Sequence, residues 1–193
     1  YSLFASAILG SGAVANAQVI YTDVDPDVIY NVDGSYGLDF NNAGTVEYTI
    51  EKLQWSWGFL DLYGTTNAVY VHPASGNSVA RTGYYPQVCD YGFNINQDLL
   101  WSPDGSSTLA LSVSAYNYYD GNYSFWWGNW RWKIGKYLPL RFTLNGEQHY
   151  GWVRLSIYGG YNGAQDLVIH DYAYEAQPNT PIIAAFIGNC DAP

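Results

Sequence analysis

Residues Tyr137–Glu175 read YLPLRFTLNGEQHYGWVRLSIYGGYNGAQDLVIHDYAYE, and this stretch decides the fold class. Its first part carries apolar side chains at every second position: Leu138, Leu140, Phe142 and Leu144. Asn145-Gly146 follows, a pair typical of a tight β-hairpin turn because both turn residues must adopt positive φ. The alternation resumes in Trp152–Ile157. The stretch therefore predicts a hairpin, a glycine-rich loop and a further strand, which places the chain in the all-β class.

The composition narrows the class of protein. The chain has 193 residues, of which 18% are aromatic and only 12% charged, with 20 Gly and 20 Tyr. Its net charge is −10 with seven Lys and Arg, which argues against nucleic acid and anionic membranes as partners because both require a basic surface. This composition favours an extracellular β-sandwich whose partners are neutral glycans, other proteins or cations.

Candidate strands follow one another at short spacing along the whole chain, with no long helix and no internal repeat. We expect roughly a dozen strands in a mostly antiparallel sandwich or jelly roll spanning residues 18–187. Asp23–Asp27 is expected to form an acidic turn between two short strands, and Ser124–Lys133 to form one strand. Residues 73–104 are rich in Pro, Gly and Asn, which predicts long loops with short strands. A last strand is expected at Ile182–Ile187.

The N-terminal segment suggests export. Residues 1–17 combine a short apolar run with Ala15-Asn16-Ala17, which resembles the end of a secretory signal peptide. The run is too short to span a bilayer. The alternative is a mature N-terminal segment that adds to the sheet of a neighbouring molecule as a donor strand. Residues 188–193 are expected to begin a linker, and the absence of Met suggests a fragment or a processed product.

The cysteines are Cys89 and Cys190. In an oxidising compartment they would pair across a long loop, and the alternative is two unpaired thiols.

Residues 39–47, DFNNAGTVE, resemble the calcium-binding pattern D-x-[DN]-x-[DN]-G, in which oxygen ligands wrap a hard cation. The fifth position is Ala43, which removes one ligand. A Ca²⁺ site here is one hypothesis, and a simple β-turn is the alternative. The candidate ligands are Asp39, Asn41, Thr45 and Glu47, joined by Asp23 and Asp25 if the fold brings them near.

The densest aromatic tract is Ser124–Trp132, SFWWGNWRW. On an extended strand Trp126, Trp130 and Trp132 would share one face, while Phe125, Trp127, Asn129 and Arg131 take the other. One face must be core, and the other would be either a platform that stacks on sugar rings or the polar rim of the core. The candidate glycan-binding residues are Trp126, Trp127, Asn129, Trp130, Arg131 and Trp132.

Catalysis is the less favoured interpretation. A glycoside hydrolase needs two carboxyl groups that face each other across a cleft. Asp171 and Glu175 lie on one face of a strand at a separation of roughly 13 Å, which is too long for a direct pair. The remaining acids and histidines of this part are Glu147, Asp166, His149 and His170, and we expect the histidines to be satisfied structural residues.

Two blocks resemble a domain found in secreted bacterial surface proteins of the PEP-CTERM or type IX sorting-domain kind. Asp23–Gly44 matches the start of that domain, and Ala43 departs from it where relatives tend to carry Asp. The resemblance implies a surface location and a linker to another module after Cys190, and it is nearly silent on activity. The second block carries the pattern through Tyr137, Arg141, Phe142, Asn145, Gly146, His149, Tyr150, Gly151, Trp152, Arg154, Leu155, Asp171, Tyr172, Ala173, Tyr174 and Glu175.

These observations together predict a non-catalytic extracellular or cell-surface module. The leading hypothesis is self-assembly into a fibre, or adhesion to other surface proteins, through exposed edge strands. The alternative from a different class is a glycan-binding module that uses the tryptophan platform.

Overall fold

A computed structural model describes residues 18–103, 107–117, 119, 121–159 and 165–185, and within these ranges the chain is all-β. In chain order the strands are β1 Val19–Tyr30, β2 Gly34–Leu38, β3 Tyr48–Phe59, β4 Leu62–Pro73, β5 Ser78–Thr82, β6 Tyr85–Pro86, β7 Asn94–Ile95, β8 Trp101–Pro103, β9 Ser107–Asn117, β10 Gly121–Trp127, β11 Lys133–Leu144, β12 Glu147–Gly159, β13 Gln165–Glu175 and β14 Ile182–Ile183.

The strands form two main antiparallel sheets. The large sheet has seven strands in the order β1-β13-β12-β11-β5-β6, with β8 also paired to β5. The small sheet has five strands in the order β10-β9-β4-β3-β2, and β7 pairs with β14 in a separate ribbon. The two sheets pack face to face, so the predicted β-sandwich is confirmed.

The hairpin of β11 and β12 forms as the sequence predicts. Asn145 and Gly146 both have positive φ, at 51° and 84°, and the flanking strands pair directly from Leu144↔Glu147 onward. The alternating residues Leu138, Leu140 and Phe142 are buried in the core between the sheets. Phe142 stacks on Phe40 with a centroid separation of 4.3 Å, which joins the β2–β3 connection to the large sheet.

The opposite face of the large sheet has its own apolar cluster. Tyr137 and Trp152 lie on this face and are covered by the segments that carry Cys89, Ile95 and Ile182. The large sheet is therefore covered on both faces over part of its length, by the small sheet on one side and by the loops between β6 and β8 and after β13 on the other. The small sheet has one face in the core.

The structure corrects two expected strand boundaries. Asp23–Asp27 is not a turn between strands but lies inside β1, which continues through a register shift between Asp23 and Val28. The tract Ser124–Lys133 is not one strand, because β10 ends at Trp127. Gly128 has φ of 94°, and an added Cβ there would lie 2.2 Å from the Leu109 carbonyl oxygen. This close backbone approach turns the chain, and β11 starts at Lys133.

Several expectations concern residues that the structure does not describe. The segment 1–17, the linker 188–193 and Cys190 lie outside the described residues. The expected last strand Ile182–Ile187 is too long: Ile182–Ile183 pairs with β7, Ala184 and Ala185 form a turn, and residues 186 and 187 lie outside the described ranges. In the described ranges, no helix has the length and apolar character needed to cross a membrane.

Replacing Phe142 with alanine tests the packing between the sheets. Phe142 is 1% exposed, so Phe142→Ala removes a buried ring and leaves a cavity. We expect the free energy of unfolding to fall by about 3–5 kcal/mol in urea titrations. Thr143→Ala, the exposed neighbour on β11, is the control and should change it by less than about 0.5 kcal/mol. Equal effects of the two variants would contradict this description of the core.

Candidate functional site

The outer face of the small sheet carries a groove between two aromatic walls, which we call the aromatic groove. The β3 wall consists of Trp55 and Trp57, and the β10 wall consists of Tyr123, Phe125 and Trp127. Its residues form three rows that cross β3, β4, β9 and β10 at directly paired positions. The second and third rows begin and end with aromatic side chains and have smaller ones in the middle, and the first row has an aromatic side chain at its β10 end. The rows are Leu53-Ala68-Leu111-Trp127, Trp55-Thr66-Val113-Phe125 and Trp57-Gly64-Ala115-Tyr123.

The walls of the aromatic groove are exposed to solvent. Trp55 is 43% exposed on the β3 side, and Phe125 and Trp127 are 52% and 44% exposed on the β10 side. The rings of Phe125 and Trp127 stack on each other at a centroid separation of 6.0 Å. The backbones of the two wall strands are three strand spacings apart, roughly 14 Å.

Local contacts hold the β3 wall in place. The ring of Trp57 lies over Gly64, where a Cβ atom would come within 2.3 Å of it, and its Nε1 donates to Thr66 Oγ1 at 3.1 Å. Only glycine at position 64 leaves room for the ring to lie flat on the sheet. This wall is consequently positioned before any ligand arrives.

The floor of the groove is uncharged. One end is a hollow of ≈ 480 Å³ lined by Trp55, Thr66, Tyr85, Thr108, Leu111, Val113 and Trp127. These side chains offer hydroxyl groups and apolar surface, and none of them is charged. Large exposed apolar surfaces of this kind mark interaction sites in soluble proteins.

The other face of the same strands is polar beyond the core. Ser56, Thr65, Ser114 and Ser124 occupy directly paired positions across the strands and form a row of hydroxyl groups. They line a hollow of ≈ 660 Å³ together with Tyr63 and Tyr116. The small sheet thus ends in an arm, residues 53–66 of β3 and β4 with their partners on β9 and β10, that presents side chains on both faces.

The candidate platform of the sequence analysis is divided by the turn at Gly128. Trp130 is 0% exposed and belongs to the core, so it is not available to a ligand. Trp127 stands in the wall of the aromatic groove. Asn129 Nδ2 donates to the carbonyl oxygens of Thr82 and Pro86, both at 3.3 Å, and holds the turn against the β5–β6 hairpin.

Arg131 lies between the other two tryptophans of the tract. Its guanidinium carbon is 4.1 Å from the ring centroid of Trp126 and 4.0 Å from that of Trp132. This cation–π arrangement occupies the faces of both rings. The expectation that Trp126, Trp130 and Trp132 form one face of a strand is therefore wrong, because the strand has already ended.

The candidate calcium loop is closed by its own hydrogen bonds. Asp39 accepts from the backbone N–H groups of Ala43 and Gly44 at 3.1 and 2.8 Å, and Asn41 Oδ1 accepts from Ala43 N–H at 3.0 Å. Glu47 is buried and accepts from Phe40 N–H at 2.9 Å, and burial raises the pKa of its carboxyl. Asp23 and Asp25 lie on β1, and Thr45 is exposed beside the loop. No group of three or more His, Cys, Asp or Glu among the described residues is arranged to hold a metal.

Cys89 is buried beside Tyr137 and has no disulfide partner among the described residues. Burial raises the pKa of this thiol to about 12, so it is protonated and unreactive at neutral pH. The predicted pairing with Cys190 involves a residue outside the described ranges.

A hydrogen-bond relay crosses four strands on the outer face of the large sheet. Asp27 Oδ2 accepts from His170 Nδ1 at 2.7 Å, and His170 Nε2 is 2.7 Å from Ser156 Oγ, which in turn accepts from Gly135 N–H at 2.9 Å. Because Nδ1 donates to the carboxylate, Nε2 accepts the hydroxyl proton of Ser156. The order Ser, His and Asp is the one that serine hydrolases use.

The burial of Ser156 assigns this relay a structural role. Ser156 is 0% exposed, whereas a nucleophile must reach its substrate. Asp27, His170 and Gly135 lie where the ladders of β1, β13 and β11 shift register. The relay therefore satisfies polar groups that bulges leave unpaired and fixes the three bulges side by side.

A second polar cluster lies next to the relay and consists of Arg154, Asp171 and Tyr21. Arg154 Nε donates to both carboxylate oxygens of Asp171, at 2.9 and 3.0 Å, and Tyr21 donates to Asp171 at 3.0 Å. Asp171 is 4% exposed, and the Arg154 guanidinium supplies the partner that a buried carboxyl group needs. Burial and the neighbouring carboxylate raise the pKa of Tyr21.

Sequence reasoning missed the β3 wall of the groove. Trp55 and Trp57 alternate with polar residues in β3, which is the pattern of a half-exposed strand, but the pattern does not show which sheet face remains uncovered. The relay was also missed, since Asp27 and His170 are far apart in the chain. His149, like His170, is satisfied, with Nδ1 2.9 Å from the Glu175 carbonyl oxygen, as expected.

Comparison with known proteins gives no match to a protein family, to a curated protein or to a solved structure. The resemblance to secreted bacterial surface proteins stays a prediction. The candidate site therefore depends on its own geometry.

Substitution of Ser156 distinguishes a structural relay from a catalytic one. Ser156→Ala leaves Gly135 N–H unpaired, and we expect it to lower the free energy of unfolding by about 1–3 kcal/mol in urea titrations. Ser124→Ala, at an exposed serine of β10, is the matched control and should have an effect below about 0.5 kcal/mol. A fluorophosphonate probe should leave Ser156 unlabelled in the folded wild-type protein, and stoichiometric labelling would show that it is a nucleophile.

Proposed function

We propose that this protein is a non-catalytic extracellular module that binds neutral glycan chains in the aromatic groove of its small sheet. The observation that carries the proposal is the pair of exposed aromatic walls on either side of an uncharged floor. Sugar rings have apolar faces that stack on aromatic rings and hydroxyl edges that need hydrogen-bond partners. Both kinds of partner line the groove.

The chemistry of the groove favours a neutral ligand. The three rows contain no charged side chain, and a protein with a net charge of −10 repels anionic chains. A neutral polysaccharide avoids both the repulsion and the cost of burying an unpaired ion. The wall positions are also fixed in advance by the strands, which reduces the entropy lost on binding.

An extracellular location is part of this proposal. It is supported by the signal-like residues 1–17, by the low content of charged residues and by the resemblance to secreted surface proteins. Glycans of the cell surface or of the surroundings would be the accessible ligands there.

The binding proposal predicts the effect of removing either wall. Trp55→Ala and Trp127→Ala should each weaken binding to neutral polysaccharides about tenfold or more, because each removes a stacking surface. Binding is measured on a glycan array and then by calorimetry with the best ligand. Tyr91→Ala is the control, since Tyr91 is 76% exposed on a loop that covers the large sheet. The absence of binding by the intact protein to any neutral glycan would refute the proposal.

Self-assembly is a second candidate function, and the edge strand β10 favours it. This edge, GNYSFWW, has neither proline nor charge. By contrast, the edge strand β1 of the large sheet contains Pro26, a register shift and three aspartates. Proline, bulges and charges block pairing between edges, so β10 is the edge suited to pair with another chain. The donor-strand role of residues 1–17 stays a prediction.

A lysine on the open edge tests assembly. Ser124→Lys places a charge on β10 and should convert any concentration-dependent oligomer to monomer in sedimentation velocity runs. Thr82→Lys, at an exposed position of β5, should leave the oligomer unchanged. If wild type sediments as a monomer at every concentration and forms no fibres, assembly through β10 is excluded.

A further inference from the structure

Two polar side chains are buried in the core face of the small sheet, and each has an atom without a hydrogen-bond partner among the described residues. Lys52 is 0% exposed and Asn67 is 1% exposed. Among the described residues, neither Lys52 Nζ nor Asn67 Oδ1 has a hydrogen-bond partner. Buried polar groups in folded proteins are almost always paired, so two such groups in one place require an explanation.

Lys52 and Asn67 are neighbours on the same face of adjacent strands. Lys52 pairs with Val69, and Asn67 pairs with Gln54, so the two lie diagonally across the β3–β4 ladder. Both point to the core side, as Ile50 and Val69 do. Diagonal neighbours on one face of a sheet are within reach of a long side chain such as lysine.

The burial of Lys52 makes the amine form more accessible than it is on an exposed lysine. Burial lowers the pKa of Lys52, while the charges of Asp33 and Asp166 act in the opposite direction. An unprotonated lysine amine in an apolar site is a nucleophile. The amide carbon of Asn67 is the electrophile on the same face.

We propose that Lys52 and Asn67 are joined by an intramolecular isopeptide bond between Nζ and Cγ. The bond explains the unpaired Nζ, which becomes an amide nitrogen, and one amide takes the place of a buried amine and a buried carboxamide, with Oδ1 kept as its carbonyl oxygen. The bond adds no polar group to the core and removes one.

The reaction needs no oxidant, reductant or cofactor. The lone pair of Nζ attacks Cγ of Asn67, and the bond between Cγ and Nδ2 breaks. One proton moves from Nζ to Nδ2, which leaves as ammonia. Asp33 and Asp166 are the carboxyl groups whose charges act on Lys52, and we assign them the relay of this proton.

The position of the bond gives it a mechanical role. Lys52 and Asn67 lie where β3 and β4 leave the core and continue into the exposed arm that carries Trp55 and Trp57. A covalent link at this point holds the base of the arm in register. The link would fix the β3 wall of the aromatic groove whether or not that groove binds glycans.

Mass spectrometry of the intact, denatured protein tests the proposal directly. We expect the mass to be lower than the sequence mass by one ammonia, and peptide mapping to yield one branched peptide containing Lys52 and Asn67. Amine labelling after unfolding should modify Lys133 and Lys136 but not Lys52, and these three are all the lysines of the chain. An unshifted mass with three labelled lysines overturns the proposal.

Four variants distinguish the isopeptide bond from a second source of ammonia loss. That second source is the succinimide that forms at sequences such as Asn145-Gly146. Lys52→Met and Asn67→Ala should each restore the full sequence mass, whereas the controls Lys133→Met and Asn122→Ala keep the loss. A loss that persists in Lys52→Met overturns the proposal. If the core variants do not fold, peptide mapping of the wild-type protein still decides between the two sources.

Discussion

The packing of the two sheets around Phe40 and Phe142 is the constraint on which the rest of the structure depends. It commits one face of the small sheet to the core. The large sheet then uses its own loops to cover its second face, around Tyr137 and Trp152. No equivalent described segment covers the second face of the small sheet, and its aromatic residues remain in solvent.

These aromatic residues are therefore exposed because the described loops cover the outer face of the large sheet and not that of the small sheet. Burying Trp55, Phe125 and Trp127 would remove a large apolar area from water, and each Å² is worth roughly 25 cal/mol. A sequence that leaves this area exposed loses that stabilisation. Binding of a ligand in the aromatic groove is the physical reason that would offset the loss, and pairing of another chain at the β10 edge would lie beside the Phe125 and Trp127 wall of that groove.

Polar groups on the large sheet serve a different purpose. The relay through His170 and the ion pair of Arg154 with Asp171 lie where bulges interrupt the ladders. The arrangement of Ser156, His170 and Asp27 matches a catalytic triad in its contacts and differs from one in its burial. Geometry alone would suggest a catalytic triad, and the burial of Ser156 argues against that role for this relay. Lys52 differs from these paired groups, because it is buried and its Nζ has no described hydrogen-bond partner.

The sequence by itself determined the all-β class, the hairpin at Asn145-Gly146 and the core face of β11. These features depend on turn chemistry and on a period of two residues, which are local properties. The tertiary structure decided where β10 ends, because the close approach of Gly128 to Leu109 is a contact between distant segments. It also decided that Trp130 is core while Trp127 is a wall, and that Lys52 and Asn67 are neighbours. Alternation shows that a strand has two different faces, but only packing determines which face another layer covers.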